Sequence, residues 1–355
     1  MRIGLITPPW VPVPPVSYGG TEAVADNLAR GLVALGHDVR LFTVGESTCP
    51  VTRLHYFPTV PAPMGWAEAE AVHVRAAYAA LADADIIHDH TQLGPLICAG
   101  RGGPPVVTTA HNPFDSIRKD NYTQVAEHAS IVAISHAQRR SAAELPVSAV
   151  IHNGVDLDVY QPGPGGGGYL LFIGRMSPDK GVHRAIRVAQ AAGKKLIIVT
   201  RDYDDGNEPI MNDERRYFER EVRPLLRPGD PQPRQEPLAG RIDLLRHAEA
   251  VLCPIDWPEP FGLVLAEALA CGTPVLAFPN GAAPEIVDHG RTGFLCDDEA
   301  AMTAAVQRLG SIDRTRCRAA AEQRFGMHRM ARDYDALYQR ILASDAAYQL
   351  TEACV

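Results

Sequence analysis

The chain has 355 residues, 46% of them apolar and 21% charged, with a formal net charge of −8. That length suits two domains of middling size, and the composition excludes disordered and fibrous classes. The acidic balance argues against a nucleic-acid partner, whose phosphates would be held by Lys and Arg.

Seven cysteines, at 49, 98, 253, 271, 296, 317 and 354, form no Cys-x-x-Cys pair and mostly sit inside apolar runs. This predicts buried reduced thiols rather than disulfides or a zinc site. The opening Met1-Arg-Ile-Gly-Leu-Ile-Thr7 is soon followed by prolines, unlike a signal peptide, and no apolar run reaches the length of a membrane span. The expectation is a cytoplasmic protein with no integral membrane segment.

Along the chain, short aliphatic runs alternate with segments of helical spacing. In the first half, strands are predicted at Ile3–Ile6, Val39–Val44, Ile86–His88, Val106–Thr109, Ile131–Ile134 and Val147–Ile151. Helices are predicted over Thr21–Leu35, Trp66–Ala82 and Ser135–Ala143, the first ending at Gly36. The glycine-rich run Gln161–Gly168 precedes a strand and lacks a Gly-Lys-Ser/Thr ending, so it reads as a flexible interdomain linker rather than a phosphate loop. After it the texture restarts, with strands at Leu170–Ile173, Leu196–Val199, Ala250–Cys253 and Val275–Phe278, a helix over Phe261–Ala270 and a wholly helical tail from Arg314 to Ala346. Asp202–Gln235, crowded with both charge signs, reads as a solvated loop and helix. The alternation predicts an α/β fold of two doubly wound Rossmann-like domains facing a cleft, residues 1–162 and 163–326. Ligands bind such sheets at the carboxyl ends of their strands.

The strongest chemical signal is Trp257-Pro-Glu-Pro-Phe-Gly-Leu-Val-Leu-Ala-Glu267. Pro260 belongs at or beside the first helical turn, leaving the amides of Phe261, Gly262 and Leu263 free to meet an anion at the helix start. Glu259 precedes the helix, and the two oxygens of Glu267 match a vicinal diol. Next is Gly174-Arg-Met-Ser-Pro-Asp-Lys-Gly181, where Arg175 and Lys180 follow a strand and are placed to neutralise a diphosphate. In Tyr18-Gly-Gly-Thr-Glu22, Gly19 and Gly20 permit close backbone approach to a ligand, and Thr21 can cap a helix. His111 closes the strand Val106–Thr109, where it can donate to a hydroxyl. His88-Asp-His90 places two histidines on one side of a strand. It reads as structural, as acceptor-pocket lining or, with no third ligand nearby, less readily as a metal site. His152-Asn-Gly-Val-Asp156 reads as an Asn-Gly turn between the domains.

The nine residues from Glu259 to Glu267 resemble the Glu-x7-Glu motif of the family 4 retaining glycosyltransferases, which have the two-domain GT-B fold. The resemblance covers nearly the whole chain and is strongest from Leu170 to Phe294. It implies a nucleoside diphosphate sugar as donor, with UDP and GDP the expected carriers, and no separate cofactor or metal. By residue match, Glu259 contacts the transferred sugar, Glu267 the ribose, Arg175 and Lys180 the diphosphate, and Gly19 and Gly20 the donor phosphate. His111 contacts the donor sugar near the reacting carbon, and Phe261, Gly262 and Leu263 offer amides to phosphate and sugar. Gly240-Arg-Ile-Asp243 falls where the family passes its backbone under the nucleobase, which brings Arg241 to the base. The tail, about 327–355, is expected to cross back onto the first domain. The acceptor is expected to be a hydroxyl of a small metabolite or glycan. Two alternatives stay open: a nucleotide-sugar epimerase of the same fold, for which His88, Asp89 and His90 are the proton-transfer candidates, and a non-catalytic nucleotide-sugar binder.

Overall fold

Aliphatic runs too apolar to tolerate a wet face form strands buried on both sides, the pattern of parallel sheets sandwiched by helices. The computed structural model describes residues 1–16, 19–100, 102–201 and 209–352. Tyr18, Asp202 and Cys354 lie outside the described residues. The chain divides into two units. One is made of Met1–Pro15, Gly19–Gly154 and Met327–Val355, and the other is built on Val155–Gly326.

The first unit holds strands β1 (Arg2–Ile6), β2 (Asp38–Thr43), β3 (Thr52–His55), β4 (Ile86–Asp89), β5 (Val106–Ala110), β6 (Ala129–Ala133) and β7 (Val147–Val150). They pair in parallel in the order β3-β2-β1-β4-β5-β6-β7, so the order reverses between β1 and β4. The second unit holds β8 (Tyr169–Ile173), β9 (Lys195–Val199), β10 (Ala250–Cys253), β11 (Val275–Ala277) and β12 (Gly293–Leu295), ordered β12-β11-β10-β8-β9 and reversing between β8 and β10. Both sheets are Rossmann-like. Two strands were not predicted: β3, an edge strand of exposed polar character, and β12, three residues between turns.

Four local expectations need correction. The first long helix starts at Gly20 with Gly19 as its N-cap, so Thr21 lies inside the first turn and caps nothing. The helix after Glu259 runs Leu263–Ala270, capped by Gly262 at φ +85°, which moves Pro260 out of the helix altogether. The tail is two helices, Arg314–Arg324 and Met327–Glu352. They are parted at the buried Phe325, whose carbonyl accepts the amide of Val155 at 2.7 Å. Gln161–Gly168 is no free linker. The amides of Gly163, Gly165 and Gly167 bond to the carbonyls of Cys271, Arg246 and His247 at 2.9–3.0 Å. A Cβ on Gly163 would lie 2.3 Å from that of Arg246, so glycine permits the close approach. Asn153 and Gly154 close the first unit, and Val155 opens the second.

Asp202–Gln235, where described, carries the helix Pro209–Tyr217 and a wound extension to Leu225, with Tyr217, Phe218 and Val222 buried. Arg201 pairs with the buried Glu214 at 2.8 Å. The six described cysteines are all free and buried. No helix among the described residues is long and apolar enough to cross a membrane.

Helix Met327–Glu352 belongs to the first unit and packs on helix Gly20–Ala34, where Gly31 leaves room for Ala331. Arg329 donates to the carbonyls of His152 and Asn153 at 2.8 and 3.1 Å. Its fully buried Tyr334 and Tyr338 reach the sheet. The Tyr338 hydroxyl lies 2.6 Å from Nδ1 of His88, whose Nε2 lies 2.7 Å from the Thr109 hydroxyl. That hydroxyl in turn lies 2.8 Å from Tyr334. Every member is satisfied, which makes the network a specific tie between helix and sheet. Replacing Tyr338 by Phe strands one nitrogen of a buried imidazole, and we expect a loss of about 1–3 kcal/mol of stability, read as a lower urea midpoint.

Burial also sets a pH dependence. Desolvation holds His73 and His111 down at about 4, His88 at about 3 and His90 well below the usual imidazole range. Unfolded, all four take up protons near 6.5, so their contribution is present above that pH and lost as pH falls toward 4. Three buried carboxyls oppose this, Glu22 raised to about 7, Asp89 to about 6 and Glu267 also raised, each mainly by desolvation. His183 is likewise held down at about 4 by desolvation. At pH 5 five imidazoles outweigh three carboxyls, so the melting temperature should be lower at pH 5 than at 7.5; a higher one would contradict the neutral burial of the histidines.

Candidate functional site

In the second unit the predicted residues gather where the strand order reverses, at the carboxyl ends of β8 and β10. The loop after β8 carries Arg175 and Lys180 and ends at Gly181, the N-cap of helix Val182–Ala191 at φ +77°. A Cβ there would stand 2.4 Å from the Pro254 carbonyl, so the loops after β8 and β10 can touch only through a glycine. Arg184 fixes the same contact, donating to the Pro254 carbonyl at 2.9 Å and that of Pro178 at 3.0 Å. Asp256 donates its amide to the Asp179 carbonyl at 2.9 Å.

This clamp brings Lys180 onto Glu259. The ammonium donates to Oε2 of Glu259, and the indole N–H of Trp257 donates to the same oxygen at 2.5 Å. The ammonium also stands 5.1 Å from the centre of the Trp257 ring, a cation–π contact. Both charges are mostly withdrawn from water and compensate one another. Oε1 of Glu259 has no partner among the described residues. The backbone of Glu259 is held by the turn after β11: Ala282 donates its amide to the Glu259 carbonyl at 2.9 Å, and Gly281, at φ +57°, lies so close that a Cβ would meet that carbonyl oxygen at 2.2 Å. Trp257 and Gly281 were not singled out from sequence. The indole two residues before Glu259 was the available signal for the first; nothing local pointed to the second, which comes from a different strand.

Arg175 is half-buried and makes a 3.4 Å contact with Asp179. Phe261 and Gly262 precede the helix, and Leu263 is its first residue. The start of the helix is therefore closer to Gly262 than the sequence suggests. Glu267 is buried, and its Oε1 accepts the Tyr160 hydroxyl at 2.8 Å. Burial raises its pKa, and the charge of Arg241 and the Tyr160 hydrogen bond lower it. Of the two oxygens matched to a diol, one is thus already engaged. Arg241 sits in helix Leu238–His247, so Gly240-Arg-Ile-Asp243 is helical rather than an extended loop. Its buried Nε has no partner among the described residues.

In the first unit, Gly19 and Gly20 follow β1. A Cβ on Gly19 would strike Pro15 and Glu22, whereas one on Gly20 would meet nothing within 4 Å. Gly19 is thus required by the protein's own packing, and only Gly20 borders open space. His111 follows β5, with Nε2 at 2.9 Å from Nδ1 of His90. His88 has both nitrogens occupied, and the buried Asp89 accepts the Thr91 amide at 2.8 Å and the Tyr78 hydroxyl at 3.0 Å. Neither is placed to shuttle protons, which weighs against the epimerase reading. Among the described residues no group of three His, Cys, Asp or Glu is arranged to hold a metal.

Residues 18–159 match the family described as Glycosyltransferase Family 4, and residues 167–311 the one described as Glycosyl transferases group 1. A phosphatidyl-myo-inositol mannosyltransferase of Mycobacterium leprae is 27% identical, with 99% of this chain and 100% of that protein covered. Among solved structures, AviGT4, a glycosyltransferase involved in avilamycin A biosynthesis, is similar with a TM-score of 0.73 at 25% identity, over 96% of this chain and 98% of that one. The Anabaena protein Alr3699/HepE, solved with UDP and glucose, shares the fold with a TM-score of 0.76 at 19% identity, over 96% and 100%. Both halves are matched, and the chain belongs to the family 4 glycosyltransferases of GT-B fold.

Proposed function

We propose that this glycosyltransferase moves a hexose from a nucleoside diphosphate sugar to a hydroxyl acceptor, with retention at the anomeric carbon and without a metal ion. The observation that carries the reading is the Lys180–Glu259–Trp257 cluster at the reversal point of the second sheet, beside Arg175 and the start of the helix Leu263–Ala270. A solved protein of the same fold holds UDP and glucose, and UDP or GDP is the carrier we assign here. Glu267 and Arg241 serve the nucleoside, with Oε2 of Glu267 as the oxygen left for a ribose hydroxyl. The acceptor is a small metabolite or oligosaccharide.

Without donor, Lys180 neutralises Glu259. A diphosphate carries more charge than a carboxylate, so on binding it draws Lys180 away and shares it with Arg175. Trp257 then keeps Glu259 oriented, with Oε1 turned to the sugar. The bond from the anomeric carbon to the phosphate oxygen breaks, and the positive charges of Arg175 and Lys180 stabilise the departing diphosphate. The acceptor oxygen bonds to the same face of the carbon, and its proton passes to the leaving phosphate. The amides near Gly262 add donors to the phosphate, and the family resemblance assigns Gly20 to the phosphate and His111 to the sugar.

Glu259→Ala should lower kcat by about 100- to 1,000-fold, as expected when one group aimed at developing charge is removed. Unchanged turnover would remove the assignment, and an inverted product anomer by NMR would remove retention. The rate should persist in excess EDTA; its loss on chelation, with recovery on adding a divalent cation, would overturn metal independence. Trp257→Phe keeps the ring under Lys180 but deletes the N–H. We expect kcat to fall about 10-fold or more while the Kd of the free nucleoside diphosphate is unchanged, since only the sugar-facing carboxylate loses a support.

A further inference from the structure

The histidine pair at the ends of β4 and β5 goes beyond the contact assigned to His111. His90 is buried, its amide donates to the Ile6 carbonyl at 2.9 Å, and its ring lies between two other imidazoles. The ring of His88 is centred 4.1 Å away and that of His111 5.1 Å away, tilted by 36° and 33°. His88 cannot turn freely, because Tyr338 and Thr109 occupy both its nitrogens. His90 faces His111, with Nδ1 2.9 Å from Nε2 of His111.

Between two neutral imidazoles one nitrogen must donate and the other accept, which leaves two arrangements. If His111 donates from Nε2, His90 must carry its proton on Nε2. That atom is buried without a partner, so an N–H would be orphaned there. If His90 instead donates from Nδ1, only a lone pair is left unpaired at Nε2. Orphaned buried N–H groups are rarer than under-satisfied acceptors, so the second arrangement is favoured. His111 then accepts at Nε2 and must carry its own proton on Nδ1. That atom has no partner among the described residues, and His111 is only half-buried, so an N–H there is not orphaned in the core.

We propose that His90 is a positioning residue that fixes His111 in its Nδ1–H tautomer, so that His111 presents a hydrogen-bond donor and not a lone pair at the carboxyl end of β5. A donor at this point recognises a lone-pair oxygen, a sugar hydroxyl or ring oxygen, and pairs poorly with a cationic group. The catalytic consequence rests on the reading above, in which His111 contacts the donor sugar; the tautomer does not. An imidazole free in water favours Nε2–H, so the assigned form is one the protein must impose.

The test is a long-range 1H–15N correlation spectrum of the whole chain labelled at histidine, with His111 assigned by the signals lost in His111→Gln. We expect a protonated Nδ1 and a bare Nε2 for His111 at pH 7.5. His90→Phe should shift His111 toward Nε2–H and lower kcat by about 10- to 100-fold, the size typical when a partner orienting a functional imidazole is lost. His90→Asn, whose amide N–H takes the place of Nδ1–H, should restore both the tautomer and most of the rate. An Nε2–H signal in the unaltered protein overturns the proposal, and this result needs no variant to fold. An unchanged Nδ1–H signal in His90→Phe overturns it equally. The assigned tautomer together with transfer indifferent to His111→Ala would uphold the role of His90 and remove instead the sugar contact of His111.

Discussion

A parallel sheet sends the carboxyl ends of all its strands to one edge, and the loops leaving that edge must run to one face or the other. Where the strand order reverses, adjacent loops run to opposite faces and leave a gap that no helix covers. The first sheet reverses between β1 and β4, and the second between β8 and β10. Gly20 follows β1, His90 follows β4 and His111 follows the neighbouring β5; Arg175 and Lys180 follow β8, and Trp257 and Glu259 follow β10. Apart from Glu267 and Arg241, which lie in helices, and Gly20, which opens one, the residues given chemical roles are carried by loops whose position is dictated by this constraint, not by their own sequence. Gly181 and Gly281 show how tightly the loops must then meet, since a side chain at either would collide with backbone.

Much of this could be read from the chain itself, because the period of apolar residues reports directly on burial. Ten strands announced themselves as aliphatic runs. The two that did not are β3, which has a wet edge and so needs no apolar run, and β12, whose three residues are too few to show a period. Arg175, Lys180, Glu259 and Glu267 were legible as motifs at strand ends. What escaped was every contact made by residues distant in sequence: Tyr160 on Glu267, the Gly281 turn under Glu259, and the two tyrosines that pin His88. Helix starts were misplaced for a related reason. Glycine at positive φ caps both Gly20–Ala34 and Leu263–Ala270, and backbone conformation of this kind leaves no trace in hydrophobic spacing. The glycine-rich run Gln161–Gly168 misled most, since composition suited to flexibility serves here for close approach to Arg246 and His247.

The two units solve opposite electrostatic problems. In the first, four imidazoles and two carboxyls are withdrawn from water with few counter-charges, so desolvation holds each in its neutral form or pushes it that way. A neutral imidazole offers one donor and one acceptor, and its usefulness depends on which nitrogen holds the proton. That makes geometry, through the row of histidines and the tyrosines behind them, the controlling variable. In the second unit Lys180 and Glu259 compensate one another as an ion pair, with Trp257 serving both the cation through its ring and the anion through its N–H. Such a pair is already paid for electrostatically, and a ligand of higher negative charge can exchange with the carboxylate for the lysine without exposing a bare ion. A neutral, directional donor suits recognition of sugar oxygens, and an exchangeable ion pair suits capture and release of a diphosphate. On the proposed function, the division of labour follows from which unit carries compensated charge at the ends of its strands.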